Sequence, residues 1–205
     1  MYALVESGTI TKYFNHPKGF TLGDLQYPAD IFMKWSVEEK EAIGIHEIVY
    51  DNSNFKDEKW YINTNQSFAF ANDTVTASYG SAFAKAHADT LWTQDEIDDG
   101  DAEEGTSPGD VKTRGLKYNL IQTVKQQAAG ILNDTDWYIT RNAEKSTAIP
   151  SAITTHRDLV RSRQATMETQ ITNANDTLAL KTLYTYTRDS DGVSSRPLAL
   201  IPTLD

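Results

Sequence analysis

Residues 116–136 read LKYNLIQTVKQQAAGILNDTD, and the spacing of their apolar side chains decides the fold of the C-terminal half. The apolar residues recur at steps of three and four, as on one face of a helix: Leu116, Leu120, Ile121, Val124, Ala128, Ile131 and Leu132. This pattern predicts an amphipathic helix over 112–132. The polar run that follows ends it, and Asp134 or Thr135 can cap the next helix.

Three further helices are predicted downstream. A short helix covers 136–145, and Pro150 sets the turn into a long helix over 151–173. Its apolar positions recur every seven residues: Ile153, Val160, Met167 and Ala174. Asp176 can cap a last helix. Residues 188–205 are predicted to form an extended arm, because they contain two prolines and several turn residues. The arm has apolar side chains that must pack on something: Leu198, Leu200, Ile201 and Leu204.

The first 79 residues show the pattern of strands and turns instead. Two β-prone runs, 2–5 and 9–13, flank Gly8 and predict a hairpin. Ser36 and Glu39 form a capping box for a short helix, which Gly44 would end. Further strands are predicted over 45–50, 60–63, 67–71 and 74–79. These residues are therefore expected to form a small, mostly antiparallel β unit with one helix. Residues 84–92 are ambiguous between a helix and an extended arm.

The net charge of −10 is concentrated in one segment. Residues 95–110 contain eight acidic and no basic side chains, a composition typical of a solvated linker. We therefore predict an α+β chain in which a small N-terminal antiparallel β unit is joined by an acidic linker to a helical hairpin or bundle and an extended tail. The four parts are a β-rich domain over 1–94, an acidic linker over 95–111, a helical domain over 112–187 and a C-terminal arm over 188–205.

Composition and charge exclude several classes of protein. An acidic chain with a pI near 4.8 lacks the clustered lysines and arginines that nucleic-acid binding requires. The sequence has no apolar run of the roughly 20 residues that span a bilayer, and we expect no signal peptide. Without cysteine, disulfides, thiolate metal sites and cysteine nucleophiles are excluded. We expect neither nucleic acid nor a membrane as a partner.

No spacing in the sequence marks a catalytic or metal site. His46 begins a segment like the helix of a zinc protease, but Tyr50 stands where the second histidine is required. A calcium loop that started at Asp95 would need an oxygen ligand at Ile97. Glycine-rich phosphate loops are also absent from the sequence. We therefore expect no catalytic residue, no metal, no cofactor and no enzymatic activity.

Two stretches of the sequence resemble one family. The segment from Leu132 to Glu144, centred on Asp136-Trp137, is followed by Pro150 and by Arg157-Asp-Leu-Val-Arg161. This segment resembles one found in the tail-fibre assembly chaperone-like and tail-region proteins of marine bacteriophages. The hairpin over 1–13 is similar to the one that opens many of those proteins. The sequence departs from the pattern at His156, where tyrosine is usual.

The resemblance implies a virion structural protein of the tail or tail-fibre region, made in the host cytoplasm, which docks to other subunits rather than catalysing a reaction. Its partners would be other tail or fibre proteins, with homo-oligomers in the assembly. Two alternatives stay open. The chain is an assembly chaperone that the mature particle does not retain, or a glycan-acting enzyme of the tail. The acidic segment and the C-terminal arm favour a subunit that stays in the particle.

The residues of the resembling segment also have a direct physical interpretation. Trp137 is expected to fill the gap between two helices as an aromatic plug. Arg141 and Glu144 can pair along one helix. Three arginines mark a basic side of the long helix, which is either scaffold or a docking face for an acidic segment of a neighbouring copy. The candidate interface or scaffold residues are Trp137, Arg141, Glu144, Pro150, Arg157, Arg161, Arg163, Leu198, Leu200 and Ile201.

Overall fold

A computed structural model describes residues 1–203, and the chain divides into two compact units. The first unit covers 1–83 and the second begins at residue 84. Helices and sheets are both present, which is compatible with the α+β class.

Strands dominate the first unit. Its elements are β1 (Tyr2–Glu6), β2 (Thr9–Phe14), β3 (Phe20–Leu22), β4 (Leu25–Tyr27), α1 (Ile31–Lys34), α2 (Val37–Glu41), β5 (Ile45–Asp51), β6 (Tyr61–Ile62), β7 (Gln66–Ala71), β8 (Thr74–Tyr79) and β9 (Phe83–Ala84). The main sheet has the order β2-β1-β5-β8-β7. Three of its four strand pairs are antiparallel, as predicted, and β5 and β8 form the one parallel pair of this sheet. The parallel pair is possible because a long crossover, which contains β6 and β7, separates these two strands.

Two tight turns set the register of the sheet. Ser7 and Gly8 connect β1 to β2 with φ angles of 52° and 79°, and Asn72 and Asp73 connect β7 to β8 with 50° and 56°. Two consecutive residues with positive φ match the twist of the strands that they join. The predicted hairpin at Gly8 and the predicted turn between the strands over 67–71 and 74–79 are confirmed.

The sheet buries apolar side chains on both faces. On one face, Leu4 and Ile45 belong to a cluster that also contains Phe14, Phe20, Ile31 and Phe32. The other face carries a second cluster of Ala3, Val5, Ile48, Val75 and Ala77. Because successive residues of a strand point to opposite faces, β1 contributes to both clusters. The first unit thus has two cores built from its own residues.

The capping box that the sequence predicts begins α2. The amide of Glu39 donates to Ser36 Oγ at 3.1 Å, and the amide of Ser36 donates to Glu39 Oε2 at 2.8 Å. Gly44 follows with a φ of 80°, and the amide of Val5 donates to its carbonyl oxygen at 2.7 Å. A Cβ at Gly44 would overlap the carbonyl oxygen of Val5. Only glycine therefore fits where α2 turns into β5.

Helices dominate the second unit. Its elements are β10 (Thr90–Leu91), α3 (Gln94–Asp98), β11 (Val111–Thr113), α4 (Leu116–Asn133), α5 (Asp136–Lys145), α6 (Ser151–Asn173), α7 (Thr177–Tyr184), β12 (Thr187–Arg188) and β13 (Ser194–Ser195). α4 packs on α6. The seven-residue pattern in α6 is confirmed as the buried face, since Val160 and Met167 are 0% and 2% exposed. α4 begins at 116 rather than 112, because β11 occupies residues 111–113.

The acidic segment differs from the predicted linker, because it forms a closed loop inside the second unit. β10 pairs with β11 across the base of the loop. Trp92 adds two backbone hydrogen bonds there, one to Asp110 and one from Gly109, each 2.9 Å long. Thr93 and Glu96 form a second capping box, which begins α3. The ambiguous residues 84–92 form no helix, and β9 and β10 lie near the two ends of this range.

The predicted C-terminal arm is tied to helices. It begins with the hairpin of β12 and β13. Leu198 is 1% exposed, and its amide donates to the carbonyl oxygen of Leu183 at 2.9 Å. The side-chain amide of Gln170 in α6 binds the backbone on both sides of Leu198. Its nitrogen donates to the carbonyl oxygen of Pro197, and its oxygen accepts from the backbone amide of Ala199. Leu204 lies outside the described residues.

Candidate functional site

Arg157 organises the junction between α4, α5 and α6. Its side chain is only 8% exposed and makes three hydrogen bonds. It donates to the carbonyl oxygen of Leu132 at 2.8 Å, to Thr135 Oγ1 at 2.6 Å and to Asp136 Oδ1 at 2.8 Å. The carbonyl groups of the last turn of a helix have no partner within the helix. Arg157 is the hydrogen-bond donor for one such carbonyl group of α4, and it connects this end of α4 to the start of α5.

This geometry changes the interpretation of two predicted features. Arg157 is a buried scaffold residue, so it does not belong to an exposed basic docking face. Thr135 stands at the N-cap position of α5 but makes no side-chain capping bond. Its hydroxyl instead donates to the carbonyl oxygen of Leu132 at 3.0 Å and accepts from Arg157. Asp136 begins α5 as predicted, where its charge faces the positive end of the helix dipole.

The other two arginines do not form a continuous basic surface. Arg161 Nη1 lies 3.5 Å from Asp158 Oδ1, and both side chains are more than half exposed. Arg163 is also exposed, but two residues along a helix correspond to a rotation of about 200°. Arg161 and Arg163 therefore point to different sides of α6. Pro150 does open α6, because its carbonyl oxygen accepts from Ile153 and Thr154.

α5 is the most exposed of the long helices. Within Asp136–Lys145 no residue is buried, and Trp137 and Ile139 are 51% and 42% exposed. The prediction that Trp137 fills a gap between helices is therefore wrong. The short segment between Asp134 and Asp136 brings α5 onto the outside of the α4–α6 pair, and the buried positions are taken by Ile153, Val160 and their neighbours on α6.

Trp137 instead belongs to a surface aromatic pair. Its ring centroid lies 3.7 Å from that of Tyr138, and the guanidinium carbon of Arg141 lies 4.8 Å from the Trp137 ring. Arg141 also lies 5.5 Å from the Tyr138 ring, in the range of a cation–π contact. The predicted ion pair with Glu144 is not among the salt bridges of residues 1–203. Arg141 therefore lies against the rings of Trp137 and Tyr138, whereas the sequence predicts the Glu144 carboxylate as its partner.

A cavity of about 390 Å³ opens beside this aromatic pair. The residues that line it are Ile131, Asp134, Thr135, Trp137, Tyr138, Ile153, His156 and Thr203. His156 is 8% exposed, and its buried Nε2 has no hydrogen-bond partner among residues 1–203. A wider groove of about 710 Å³ follows α6, but all the residues that line it are exposed or half-buried. The smaller cavity is therefore the better candidate for a site.

His156 and Ile139 are not among the candidate residues predicted from the sequence. The helical spacing contained a signal for His156, because it lies three residues after Ile153 and four before Val160 on the buried face of α6. Nothing in the local sequence distinguishes the exposed Ile139 from a core residue. Of the three apolar arm residues that the structure describes, Leu198 is buried, Ile201 is half-buried and Leu200 is 57% exposed.

Comparison with known proteins gives no match to a family model, to a curated protein or to a solved structure. Within the described part of the chain, His, Asp and Glu side chains nowhere form a group of three or more that could hold a metal ion. None of the helices in residues 1–203 has both the length and the apolar character to cross a membrane.

Proposed function

We propose that the chain is a structural subunit that docks to other proteins of an assembly through α5. The observation that carries this proposal is the exposure of Trp137 and Ile139 on a helix that has no buried residue. Trp137 and Ile139 are two residues apart and therefore point to different sides of α5, so each of these sides exposes a large apolar side chain. Aromatic side chains are enriched at protein–protein interfaces. Catalysis is not part of this proposal.

The position of α5 is set before any partner binds. Arg157 fixes its first turn through Thr135 and Asp136. At the other end, the amide of Ser146 donates to the carbonyl oxygen of Asn142 at 2.8 Å, and Asn142 Nδ2 donates to the carbonyl oxygen of Thr147. A helix that is attached to α6 at its first turn and capped by its own residues at its last turn loses less conformational freedom on binding, which supports its use as a docking element.

The nature of the assembly is proposed from the resemblance to marine phage tail proteins. Asp136 and Arg157, two residues that carry the resemblance, form an ion pair at the start of α5. We therefore propose the phage tail or tail-fibre region as the assembly, with other tail or fibre proteins and further copies of this chain as partners. The β unit and the helical unit would act as separate domains of that subunit, within the virion.

Quantitative mass spectrometry of purified particles tests this proposal in a phage that carries the gene. We expect the chain in every particle, at a fixed ratio to the other tail proteins. Its presence in infected cells together with its absence from particles would contradict the proposal and support the assembly chaperone.

The docking role of α5 is tested with Ile139→Asp. This residue is 42% exposed, so we expect a stability cost below about 0.5 kcal/mol but a loss of incorporation into particles. Leu178→Asp is the matched control, because Leu178 is 61% exposed on α7. Equal incorporation of both variants, measured as copies per particle, would rule out α5 as the docking element.

A further inference from the structure

We propose that the cavity beside Trp137 and Tyr138 binds a neutral sugar ring. The end of α4, the start of α5, the first turns of α6 and Thr203 of the C-terminal segment form this cavity, and its volume of about 390 Å³ lies in the range of small-molecule sites. The inference goes beyond the proposed docking function, because it concerns a small ligand and does not depend on Ile139.

The buried imidazole of His156 indicates what kind of group the ligand carries. Its Nε2 is desolvated and has no partner within residues 1–203, an arrangement that is unfavourable until a polar group satisfies it. The neighbouring Arg157 uses its Nη atoms for three hydrogen bonds, and its Nε also has no partner within residues 1–203. Nε2 of a neutral imidazole donates or accepts according to the tautomer. A hydroxyl group can do both, and it therefore suits either tautomer.

The charges around the cavity favour a neutral ligand. Asp134 lines it, and no lysine or arginine does so among the described residues, which disfavours an anion. Arg141 already lies against the Trp137 and Tyr138 rings, with its guanidinium carbon 4.8 Å and 5.5 Å from their centroids. This positive charge disfavours a cationic ligand at the same rings. The Asp134 carboxylate can instead accept hydrogen bonds from hydroxyl groups.

The rest of the cavity surface combines the threonines Thr135 and Thr203 with apolar groups. Ile131 and Ile153 contribute aliphatic groups, and Trp137, which is 51% exposed, contributes an aromatic ring. A pyranose ring has C–H groups that pack on such surfaces and hydroxyl groups around its edge. It therefore matches the aromatic and aliphatic surface, the Asp134 carboxylate and the unsatisfied His156 nitrogen together. A partner's apolar side chain would match only the first of these.

The test is an NMR titration of the full-length ¹⁵N-labelled protein with methyl glycosides of neutral hexoses: glucose, galactose and mannose. We expect at least one glycoside to shift the Trp137 indole and His156 ring signals in a saturable way, with a Kd on the order of 1 mM. The methyl glycoside of glucuronic acid, glucosamine, and cyclohexylmethanol should bind at least about ten-fold more weakly, because they add a negative charge, add a positive charge or lack the ring of hydroxyl groups.

Variants assign the binding to this cavity. We expect His156→Phe and Trp137→Ala to weaken binding by about ten-fold or more, and Trp92→Phe to leave it unchanged, since Trp92 does not line the cavity. The absence of saturable shifts up to about 50 mM glycoside would overturn the proposal. Equal binding of cyclohexylmethanol would overturn it too, in favour of a pocket for an apolar side chain. The comparison of ligands uses the unaltered protein and does not depend on a variant that folds.

Discussion

Arg157 is the residue on which the α4–α5 junction depends. We expect Arg157→Met to lower the free energy of unfolding by about 2–3 kcal/mol, because the carbonyl oxygen of Leu132 and the Thr135 hydroxyl lose a buried donor. The ion pair itself adds little to this figure, since the Asp136 side chain is 55% exposed. Urea denaturation followed by circular dichroism at 222 nm measures the change.

Arg161→Met is the matched control for that prediction. Arg161 lies one helical turn further along α6, and its exposed pairing with Asp158 should contribute less than about 0.5 kcal/mol. If the two variants lost the same stability, the hydrogen bonds of Arg157 would not be what holds the junction together.

A second residue-scale prediction concerns Gly44. Gly44→Ala should lower the free energy of unfolding by about 3 kcal/mol, because the new methyl group meets the carbonyl oxygen of Val5 at a φ of 80°. Gly23→Ala is the control, since Gly23 also has a positive φ but open space around it. We expect about 1 kcal/mol there, from the backbone conformation alone. If thermal denaturation gave the same loss of unfolding free energy for both variants, the backbone near Val5 would shift to accommodate the new methyl group without cost.

At the scale of elements, the acidic loop is held by local electrostatic contacts. The Lys112 ammonium, the amide of Thr93 and the Thr93 hydroxyl hold the pKa of Glu96 at about 2, below its ordinary 4.5. Because the pKa is lower in the folded state, the contribution of Glu96 to stability is complete above pH 4.5 and is lost as the pH falls toward 2. Carboxyl ¹³C NMR of the loop should show this titration.

Lys112→Met should raise the pKa of Glu96 toward 4.5, because it removes the ammonium group 2.7 Å from the carboxylate. Lys117→Met is the control, since Lys117 donates to the carbonyl oxygen of Thr172 in a different part of the unit. An unaltered pKa in the Lys112 variant would show that the Thr93 capping box alone is responsible.

The helices were predictable from the sequence because their buried faces repeat. The apolar steps of α4 and the seven-residue spacing in α6 encode the α4–α6 contact directly. The acidic loop was not predictable from its composition, since Lys112 lies 16 residues from Glu96 and only folding brings them together. A local signal did exist, because Thr93 and Glu96 have the spacing of a capping box. Composition alone does not reveal this capping box, because the segment contains eight acidic residues and therefore has the composition of a linker.

The candidate site was predictable only in part. Trp137 and Arg157 are both candidate residues predicted from the sequence. Trp137 is predicted to be buried, however, and one of the two alternatives for Arg157 is an exposed docking face. A tryptophan after a helix break is compatible with either environment, and the outcome depends on how far α5 lies from the α4–α6 pair. Residues of three helices and Thr203 of the C-terminal segment form the cavity next to His156, so no spacing within one helix could indicate it.

At the scale of the molecule, the first unit should fold without the second. Both of its apolar clusters consist of residues from within 1–83, including the pair of Leu4 and Ile45 on one face and that of Ile48 and Val75 on the other. We expect a fragment of residues 1–84, which retains β9, to show a cooperative thermal transition and dispersed amide signals in NMR spectra. Trp60, which is 3% exposed, provides a fluorescence signal from the folded state.

A fragment of residues 1–65 is the control, because the loss of β7 and β8 removes Val75 and Ala77 and opens one cluster to water. If the longer fragment melted as broadly as the shorter one, the β unit would depend on residues beyond 84 for its stability.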